Sequence, residues 1–502
     1  MAETSTVPPG VDSQSAADTR TKEFPNRDNL NAQSGFTDPQ SAVLAEGPTY
    51  LEAGVVLALG VMFLLGILFQ CSPLNGSLRL VFWVRPWRND IGILRAAVML
   101  LLPFAAIAQV LWKAETGRNL RASMHLAILA IASFLLQLMG MMADPRGIGL
   151  VRQIILSPST TSYFSDAIRI RRLAALLSQF DQLTLGLHSS THPPGPILFF
   201  YMFLKVFGLQ AGPLISGLAV GGLASLGVLI TYMFAGLWTA DRRTRILASG
   251  LYALLPAMTL FFPELNQVYP IFSMLLIISW CTSLESKRRF PWEAICLGLI
   301  LSVAFFFSYS LATTGVFLGY YGLYWLWRQE WSRSSFLKLL RTSGVAGGEC
   351  ILIYSILRLM TGYRPIAAFR SALSWQAFYQ GILHRSSNAL YTLYDPYEFF
   401  LGAGMLVLPL IIFQLCRSSR NFDSTQKAFA LTLIGLATIL TIDLSGVMRG
   451  EAARVWLFLQ PLVIVPAALE LSRFRWRWRL TIFSMQWLIV VCLKAKIFFL
   501  VP

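Results

Sequence analysis

Charged side chains are scarce in this sequence, and acidic ones are the scarcer kind. Asp, Glu, Lys and Arg make up 13% of the 502 residues, whereas a water-soluble domain carries about 25%. The shortage argues against an ordinary soluble enzyme. The 41 basic residues outnumber the 25 acidic ones, but no polar domain carries this basic excess. A nucleic-acid partner is therefore not expected.

Cysteine pairs and metal-binding motifs are also missing. The six cysteines are isolated, and none forms a CxxC pair. Structural zinc and a disulfide scaffold are therefore not expected. No DxD-type motif is present either, so the sequence predicts neither a metal site nor a cofactor.

Long apolar runs are abundant instead. From Tyr50 onward, runs of roughly 17–25 apolar residues recur, which is the length of a helix that crosses a bilayer. They predict an all-α, polytopic membrane protein with about thirteen transmembrane helices. The predicted spans are 50–70, 92–112, 123–142, 212–239, 246–262, 268–283, 293–308, 313–327, 343–360, 397–415, 428–447, 454–470 and 480–500.

Basic connectors orient these spans. Lys and Arg cluster in every second connector, at 240–246, 284–292, 328–342, 416–427 and 471–479. The positive-inside rule places these five connectors in the cytoplasm and the alternate connectors outside. We therefore expect a multi-pass protein of a bacterial inner or plasma membrane, with its long loops on the outer face.

The chain is then expected to divide into six parts. They are a disordered cytoplasmic tail at 1–47, N-terminal spans at 48–142, an outer loop at 143–211, central spans at 212–360, a second large outer loop at 361–396, and C-terminal spans at 397–502. The apolar stretch 196–210 is short for a span and would invert the basic connectors if it crossed. It is expected to be a re-entrant or interfacial helix.

The first outer loop holds the main candidate acid. Residues 163–180 have apolar side chains at helical spacing, which predicts an amphipathic helix in the membrane interface. Asp166 lies in its first turn, with Arg169 and Arg172 following. Asp166 is the candidate catalytic base, and the two arginines are candidate donor-binding residues. The macrodipole and an Arg169 pair would also explain an acid there, and Asp144 is a second candidate.

Two histidines follow in a proline-rich loop. His188 and His192 are four residues apart, and Pro193 and Pro194 come directly after them. The prolines disfavour a helical zinc pair, and no third ligand is near. The pattern favours either a stiff turn or a rigid loop that presents His188 and His192 to a polar substrate at the membrane surface.

Further ionisable or amide residues fall on the same predicted face. Ionisable groups in or beside spans are costly and usually face a cavity or a partner. The candidate binding residues are Glu264, Gln267, Asp395, Arg449, Glu451 and Arg454. Each of them could instead be paired internally, for example Glu451 with Arg454.

A cavity with one base, several guanidinium groups and apolar walls suits sugar transfer from a lipid phosphate. Arginines neutralise the charge on a leaving phosphate, so one carboxylate is enough to activate the acceptor hydroxyl. A glycoside hydrolase normally needs two paired carboxylates. A single displacement would invert the anomeric centre.

Two segments resemble a known family. Ser165-Asp166-Ala167, followed by Thr191-His192-Pro193-Pro194-Gly195 at the start of an apolar helix, resembles the GT-C superfamily of integral-membrane glycosyltransferases. Protein O-mannosyltransferases and lipid A aminoarabinose transferases are branches of that superfamily. The resemblance implies a GT-C-like fold, a polyprenyl-phosphate sugar donor and a lipid, glycan or protein acceptor. It also implies Asp166 as the base, with Arg449, Glu451 and Arg454 near the lipid phosphate.

Two alternatives stay open at this point. A secondary transporter or lipid flippase would also have many spans and buried charges, although no internal repeat is visible. A transferase that moves a group other than a sugar is the second alternative.

Overall fold

Helices from Tyr50 onward make up nearly all of the regular structure. The computed structural model describes residues 50–69, 83–84, 91–117, 121–288, 291–382, 389–420 and 427–498. The predicted tail at 1–47 lies outside these residues.

In the first half, the helices are α1 (Tyr50–Leu68), α2 (Ile91–Glu115), α3 (Ala122–Met142), α4 (Gly149–Leu156), α5 (Tyr163–Arg169), α6 (Leu173–Ser178), α7 (Leu187–Ser190), α8 (Gly195–Ser225), α9 (Gly227–Ala235), α10 (Arg242–Ala253) and α11 (Pro256–Leu260).

The second half continues in the same way. Its helices are α12 (Tyr269–Glu285), α13 (Trp292–Phe307), α14 (Thr314–Arg328), α15 (Arg333–Thr361), α16 (Pro365–Ile382), α17 (Tyr391–Ala403), α18 (Val407–Arg420), α19 (Lys427–Ser445), α20 (Ala452–Val455), α21 (Pro461–Leu471) and α22 (Trp476–Lys496). Short 3-10 turns lie at Phe180–Gln182, Leu265–Val268, Tyr309–Thr313 and Leu457–Leu459. Two strands, β1 (Trp83–Val84) and β2 (Ile497–Phe498), pair antiparallel, with Trp83 opposite Phe498.

The all-α polytopic architecture is confirmed, whereas the count of about thirteen spans is not. Among the described residues, eight helices are long and apolar enough to cross a membrane, and a bent pair formed by α17 and α18 would make nine. Several predicted spans instead form shorter helices. For example, 293–308 is the 16-residue helix α13, which is about 24 Å long at 1.5 Å per residue and shorter than a hydrocarbon core of about 30 Å.

Described residues of the basic connectors lie together at one end of the helix bundle. Ion pairs join them to one another and to nearby helix ends: Arg243–Glu115 (3.4 Å), Arg479–Glu115 (2.5 Å), Lys427–Glu285 (2.7 Å), Arg417–Glu52 (2.9 Å) and Arg417–Glu470 (3.1 Å). We call this end the basic end. Helices α12, α15 and α19 each have one terminus there, so residues 264, 362 and 446 lie towards the opposite end.

The chain reverses direction inside α8, at Gly208. Gly208 has φ 69° and ψ −177°, a combination that only glycine adopts easily. A Cβ at Gly212 would lie 3.4 Å from the Cα of Leu204, although residues eight apart in a straight helix are about 12 Å apart. Residues 195–207 therefore form the first arm of a helical hairpin. A re-entrant or interfacial helix at 196–210 stays a prediction.

The predicted amphipathic helix at 163–180 is broken into two. The backbone of Ile170 is extended, with ψ 113°, between α5 and α6. The two pieces face different neighbours: Phe164 of α5 packs against Phe200 of α8, and α6 contacts α15. The prediction of one continuous helix over 163–180 is therefore wrong at residues 170–172, which separate α5 from α6.

Helix α21 lies at the centre of the bundle, where it packs against α10, α18 and α19. Ten of its eleven residues are buried. Helix α15 is the opposite case, because only 6% of its apolar window is buried within the protein. The bundle thus has a buried centre at α21 and an exposed side at α15, from which α16 continues.

Candidate active site

A cavity of about 320 Å³ opens at the end of the bundle opposite the basic end. Connections between helices, together with the face of α16, form its walls. The lining segments lie within residues 160–163, 187–192, 264–269, 308–313, 369–380 and 447–455. They come from both halves of the chain, and all lie at the same end of the spans.

The cavity brings together six of the eleven site residues that the sequence predicts. They are His188, His192, Glu264, Arg449, Glu451 and Arg454. These residues come from three loops that are far apart in the sequence. Their convergence gives the cavity two guanidinium groups, two carboxylates and two imidazoles.

Arg454 joins the two cavity carboxylates. Its Nη1 donates to Glu264 Oε1 at 2.8 Å, and its Nη2 donates to Glu451 Oε2. The Glu264 side chain is only 3% exposed and that of Arg454 11%. Burial raises the pKa of Glu264 to about 7, although the Arg454 guanidinium opposes this rise. Glu264 can therefore gain and lose a proton near neutral pH.

The two histidines are held in their neutral form. Burial, assisted by the positive charge of Arg454, lowers the pKa of His188 to about 3. Burial likewise lowers the pKa of His192 to about 4. His192 Nδ1 lies 2.8 Å from the His188 carbonyl oxygen. Because a carbonyl only accepts, Nδ1 carries the proton, and Nε2 is left as an acceptor.

The loop after His192 is fixed by close packing. Pro196 lies at the start of α8, where a missing N–H costs nothing. A Cβ at Gly195 would lie 2.1 Å from the Phe306 carbonyl oxygen, so this approach to α13 needs glycine. Tyr163 contacts His192 edge-to-face, at 5.6 Å between ring centroids. The histidines are thus presented by a rigid segment.

Two buried carboxylates of α17 hold the loop that carries Arg449 and Glu451. Asp395 Oδ1 accepts from Gly450 N at 2.9 Å, and Glu398 Oε2 accepts from Ala452 N at 2.8 Å. Between these two amides, Glu451 is left-handed, with φ 56°, a strained conformation for a residue with a side chain. Asp395 was predicted to bind the donor, but it does not line the cavity. Asp395 instead contacts the main chain of the loop that carries Arg449.

Asp166, the predicted base, also holds a main-chain segment. Its Oδ2 accepts from Gly186 N at 2.9 Å, and its Oδ1 lies 3.5 Å from Arg169 Nη1. Asp166 is buried and does not line the cavity. Ser162, just before α5, makes a similar contact: its Oγ accepts a hydrogen bond from Ser189 N at 3.0 Å. Together they fasten α5 to the segment that carries the two histidines.

The remaining predicted residues lie outside the cavity lining. Gln267 is fully buried, and its Nε2 donates to the Met258 carbonyl oxygen and to Gln137 Oε1. Arg169 is 72% exposed and Arg172 is also exposed. Asp144, the alternative base, is paired with Arg146 at 3.0 Å. None of the four is among the lining residues.

Sequence reasoning missed the uncharged part of the cavity. It comprises hydroxyl, amide and aromatic residues: Thr160, Thr161, Tyr163, Asn266, Tyr269, Ser308, Tyr309, Ser310, Thr313, Phe369, Gln376, Tyr379 and Gln380. One signal was available, because Ala368, Ala372, Gln376 and Gln380 recur every four residues and so share one face of a helix. Within the described residues, His, Cys, Asp and Glu form no group of three that could hold a metal.

No protein-family model and no curated protein matches the chain. Among solved structures, the chain is similar to the crystal structure of ArnT from Cupriavidus metallidurans bound to undecaprenyl phosphate, with 14% sequence identity and a TM-score of 0.46. The similarity covers 71% of this chain and 61% of that one, so the chain spans less than two thirds of the ArnT structure. At this identity and TM-score the match supports no statement about function, and the functional argument rests on the cavity.

Proposed function

We propose that the protein is a membrane glycosyltransferase that moves a sugar from a polyprenyl-phosphate donor to a lipid, glycan or protein acceptor. The observation that carries the proposal is the cavity at the ends of the spans. There Arg449, Arg454 and Glu264 lie among hydroxyl and aromatic side chains. A lipid-linked donor keeps its tail in the bilayer while its head group reaches such a cavity.

Arginines suit the phosphate end of this donor. Arg449 lies just before α20 and Arg454 lies within it, and guanidinium groups form strong charge-assisted hydrogen bonds with phosphate oxygens. Their charge also stabilises a phosphate that departs as an anion. Both arginines line the cavity, so we assign the phosphate contacts to Arg449 and Arg454 together.

Glu264 is the proton acceptor that we favour. Its pKa near 7 and its place in the cavity wall match a general base that works at neutral pH. The acceptor oxygen forms a bond to the anomeric carbon while the bond from that carbon to the phosphate oxygen breaks. The bonding electrons leave with the phosphate, and the acceptor hydroxyl proton moves to Glu264. The anomeric centre is inverted. Asp166 as the base stays a prediction, and its position behind the cavity wall weighs against it.

The position of the cavity supports transfer rather than transport. Transporters bind their cargo near the middle of the membrane, between broken helices. Here the charged residues lie in loops at one end of the spans. That arrangement supports chemistry on a head group at the membrane surface, which we assign to the outer face because the basic connectors lie at the other end.

The test uses the purified protein in lipid nanodiscs with undecaprenyl phosphate carrying a radiolabelled hexose. We expect saturable binding and, with acceptors extracted from a bacterial envelope, transfer of label with release of undecaprenyl phosphate. Arg449→Gln is expected to weaken donor binding by about tenfold or more, as loss of a charged hydrogen bond does. Arg169→Gln is the control, because Arg169 is exposed outside the cavity. Absence of saturable binding, or equal effects of the two variants, would contradict the proposal.

A further inference from the structure

Helix α16 runs across the cavity and gives it an uncharged wall. Five of its side chains that line the cavity are Phe369, Leu373, Gln376, Tyr379 and Gln380. They offer a phenyl ring, a phenol, two amides and an alkyl group, and none is charged at neutral pH. The face of α16 is thus polar without being ionic.

Contacts near both ends fix this face. Just before α16, Arg364 Nη2 donates to Asp181 Oδ1 at 2.9 Å, and the buried ring of Tyr363 packs edge-to-face on Phe180. Near its C-terminal end, Gln380 Nε2 donates to the Val447 carbonyl oxygen at 3.3 Å. The helix is therefore tied to the first outer loop at one end and to the arginine-bearing loop at the other.

The cavity wall next to α16 is also formed by uncharged side chains. Residues 308–313 contribute Ser308, Tyr309, Ser310 and Thr313 to the cavity. The Tyr309 ring packs edge-to-face on Phe369 at 5.1 Å, which joins this segment to α16. Among the residues that the structure describes, the Asp, Glu, Lys or Arg side chains that line the cavity come from elsewhere, at 264 and 449–454. The cavity thus has a charged wall and an uncharged wall.

A sugar phosphate has the same division. Its phosphate is anionic, whereas a hexose or pentose ring presents hydroxyl groups and an apolar face of C–H bonds. Amides and phenols donate to and accept from hydroxyls, and aromatic rings pack on apolar faces. The charged wall suits the phosphate, so the uncharged wall is left for the ring.

We infer that α16 is the sugar-recognising element and that the donor sugar is uncharged, with neither an amine nor a carboxylate. This inference rests on the proposed function and deepens it. An ammonium or carboxylate group against α16 would lose its water without gaining a counter-charge there, which is strongly unfavourable. The two cavity carboxylates already bind Arg454, so an amino sugar would have to compete with a buried guanidinium for them.

The experiment compares lipid phosphates that differ only in the sugar. Dissociation constants are measured in nanodiscs for undecaprenyl phosphate alone and for its conjugates with a neutral hexose, a neutral pentose, an aminopentose and a uronic acid. We expect a neutral conjugate to bind at least tenfold more tightly than the aminopentose and uronic acid conjugates. Gln376→Ala and Tyr379→Leu should each weaken the neutral conjugate by about tenfold, as a lost hydrogen bond does, and leave undecaprenyl phosphate unchanged.

Two further variants test whether α16 selects the sugar by its charge. Gln376→Glu should improve the relative binding of the aminopentose conjugate, because it supplies the missing counter-charge at nearly the same volume. Ser374→Ala is the matched control, since Ser374 is exposed on α16 and does not line the cavity.

The outcomes separate this inference from the proposed function. If wild-type protein binds no undecaprenyl phosphate, the proposed function fails. If it binds undecaprenyl phosphate but prefers the charged sugars, the inference fails and the proposed function stands. The inference also fails if the α16 variants weaken undecaprenyl phosphate as much as its sugar conjugates, because α16 would then act on the whole site.

Discussion

Asp166 Oδ2 accepts a hydrogen bond from the main-chain N–H of Gly186 at 2.9 Å. The contact ties α5 to the segment that carries His188 and His192. Asp395 does the same for Gly450 on the other side of the cavity. Acids that the sequence marks as catalytic or substrate-binding thus hold the loops that present the cavity residues.

The identity of the base can be tested with two isosteric substitutions. Glu264→Gln is expected to lower kcat by about 10²–10⁴-fold, because it removes the proton acceptor. Asp166→Asn should keep kcat within a fewfold of wild type, since the amide oxygen can still accept from Gly186. Sugar-transfer assays at saturating donor check both values. The reverse result would establish Asp166 as the base.

Donor binding should depend on pH through Glu264. Below a pKa of about 7 Glu264 is protonated, so the cavity gains one unit of positive charge relative to pH 8. His188 and His192 have lowered pKa values near 3 and 4 and stay neutral throughout this range. If the bound anion raises the Glu264 pKa by about one unit, affinity should increase roughly fivefold from pH 8 to pH 6.

The ligand for this titration is the hexose conjugate, because its phosphodiester keeps a single charge from pH 6 to 8. Glu264→Gln should flatten the profile, since the amide does not titrate. A profile that is equally steep in the variant would assign the titration to another group.

Asp395 and Glu398 are expected to act as positioning residues. Asp395→Ala and Glu398→Ala leave the buried amides of Gly450 and Ala452 without their acceptors, which costs about 1–3 kcal/mol each. Donor affinity should fall because Arg449 and Glu451 lose their placement. Asp395→Asn and Glu398→Gln should restore much of the affinity, since an amide oxygen accepts the same bond. If the Ala and amide variants were equally impaired, the negative charge would matter more than the hydrogen bond.

Gly208 should be essential for the helical hairpin. Gly208→Ala places a side chain in a backbone region that is nearly exclusive to glycine, at a cost of about 1–3 kcal/mol. The thermal unfolding midpoint in detergent should fall. Gly222→Ala is the matched control, because Gly222 lies in regular helix with no atom within 4 Å of a Cβ, and alanine is the better helix former. A midpoint that Gly208→Ala leaves unchanged would contradict the hairpin geometry.

The orientation of the protein in the membrane can be determined by cysteine labelling. In a cysteine-free background, Ser159→Cys should react with a membrane-impermeant maleimide from outside the cell. Ser334→Cys, at the basic end, should react only after permeabilisation. Both serines are exposed. The opposite labelling pattern would place the cavity in the cytoplasm.

The sequence determined the general architecture because hydrophobicity and charge act locally. Apolar runs specify membrane helices regardless of their neighbours, and basic connectors identify the bundle end where Glu115 and Arg243 meet. The short apolar length of 196–210, and the inversion of the basic connectors that a crossing would cause, marked this stretch as unusual. Helix breaks such as the one at Ile170 were beyond local reasoning, since they depend on which neighbours each half packs against.

The tertiary structure decided which polar residues share the cavity. Glu264 and Arg454 are 190 residues apart, yet they form an ion pair at 2.8 Å. Gln267, which comes from the same turn as Glu264, points instead to Gln137. Side chains within one turn diverge by large angles, so a motif alone cannot say which of them reaches the cavity. Packing of the spans sets those directions, and packing is a property of the whole chain.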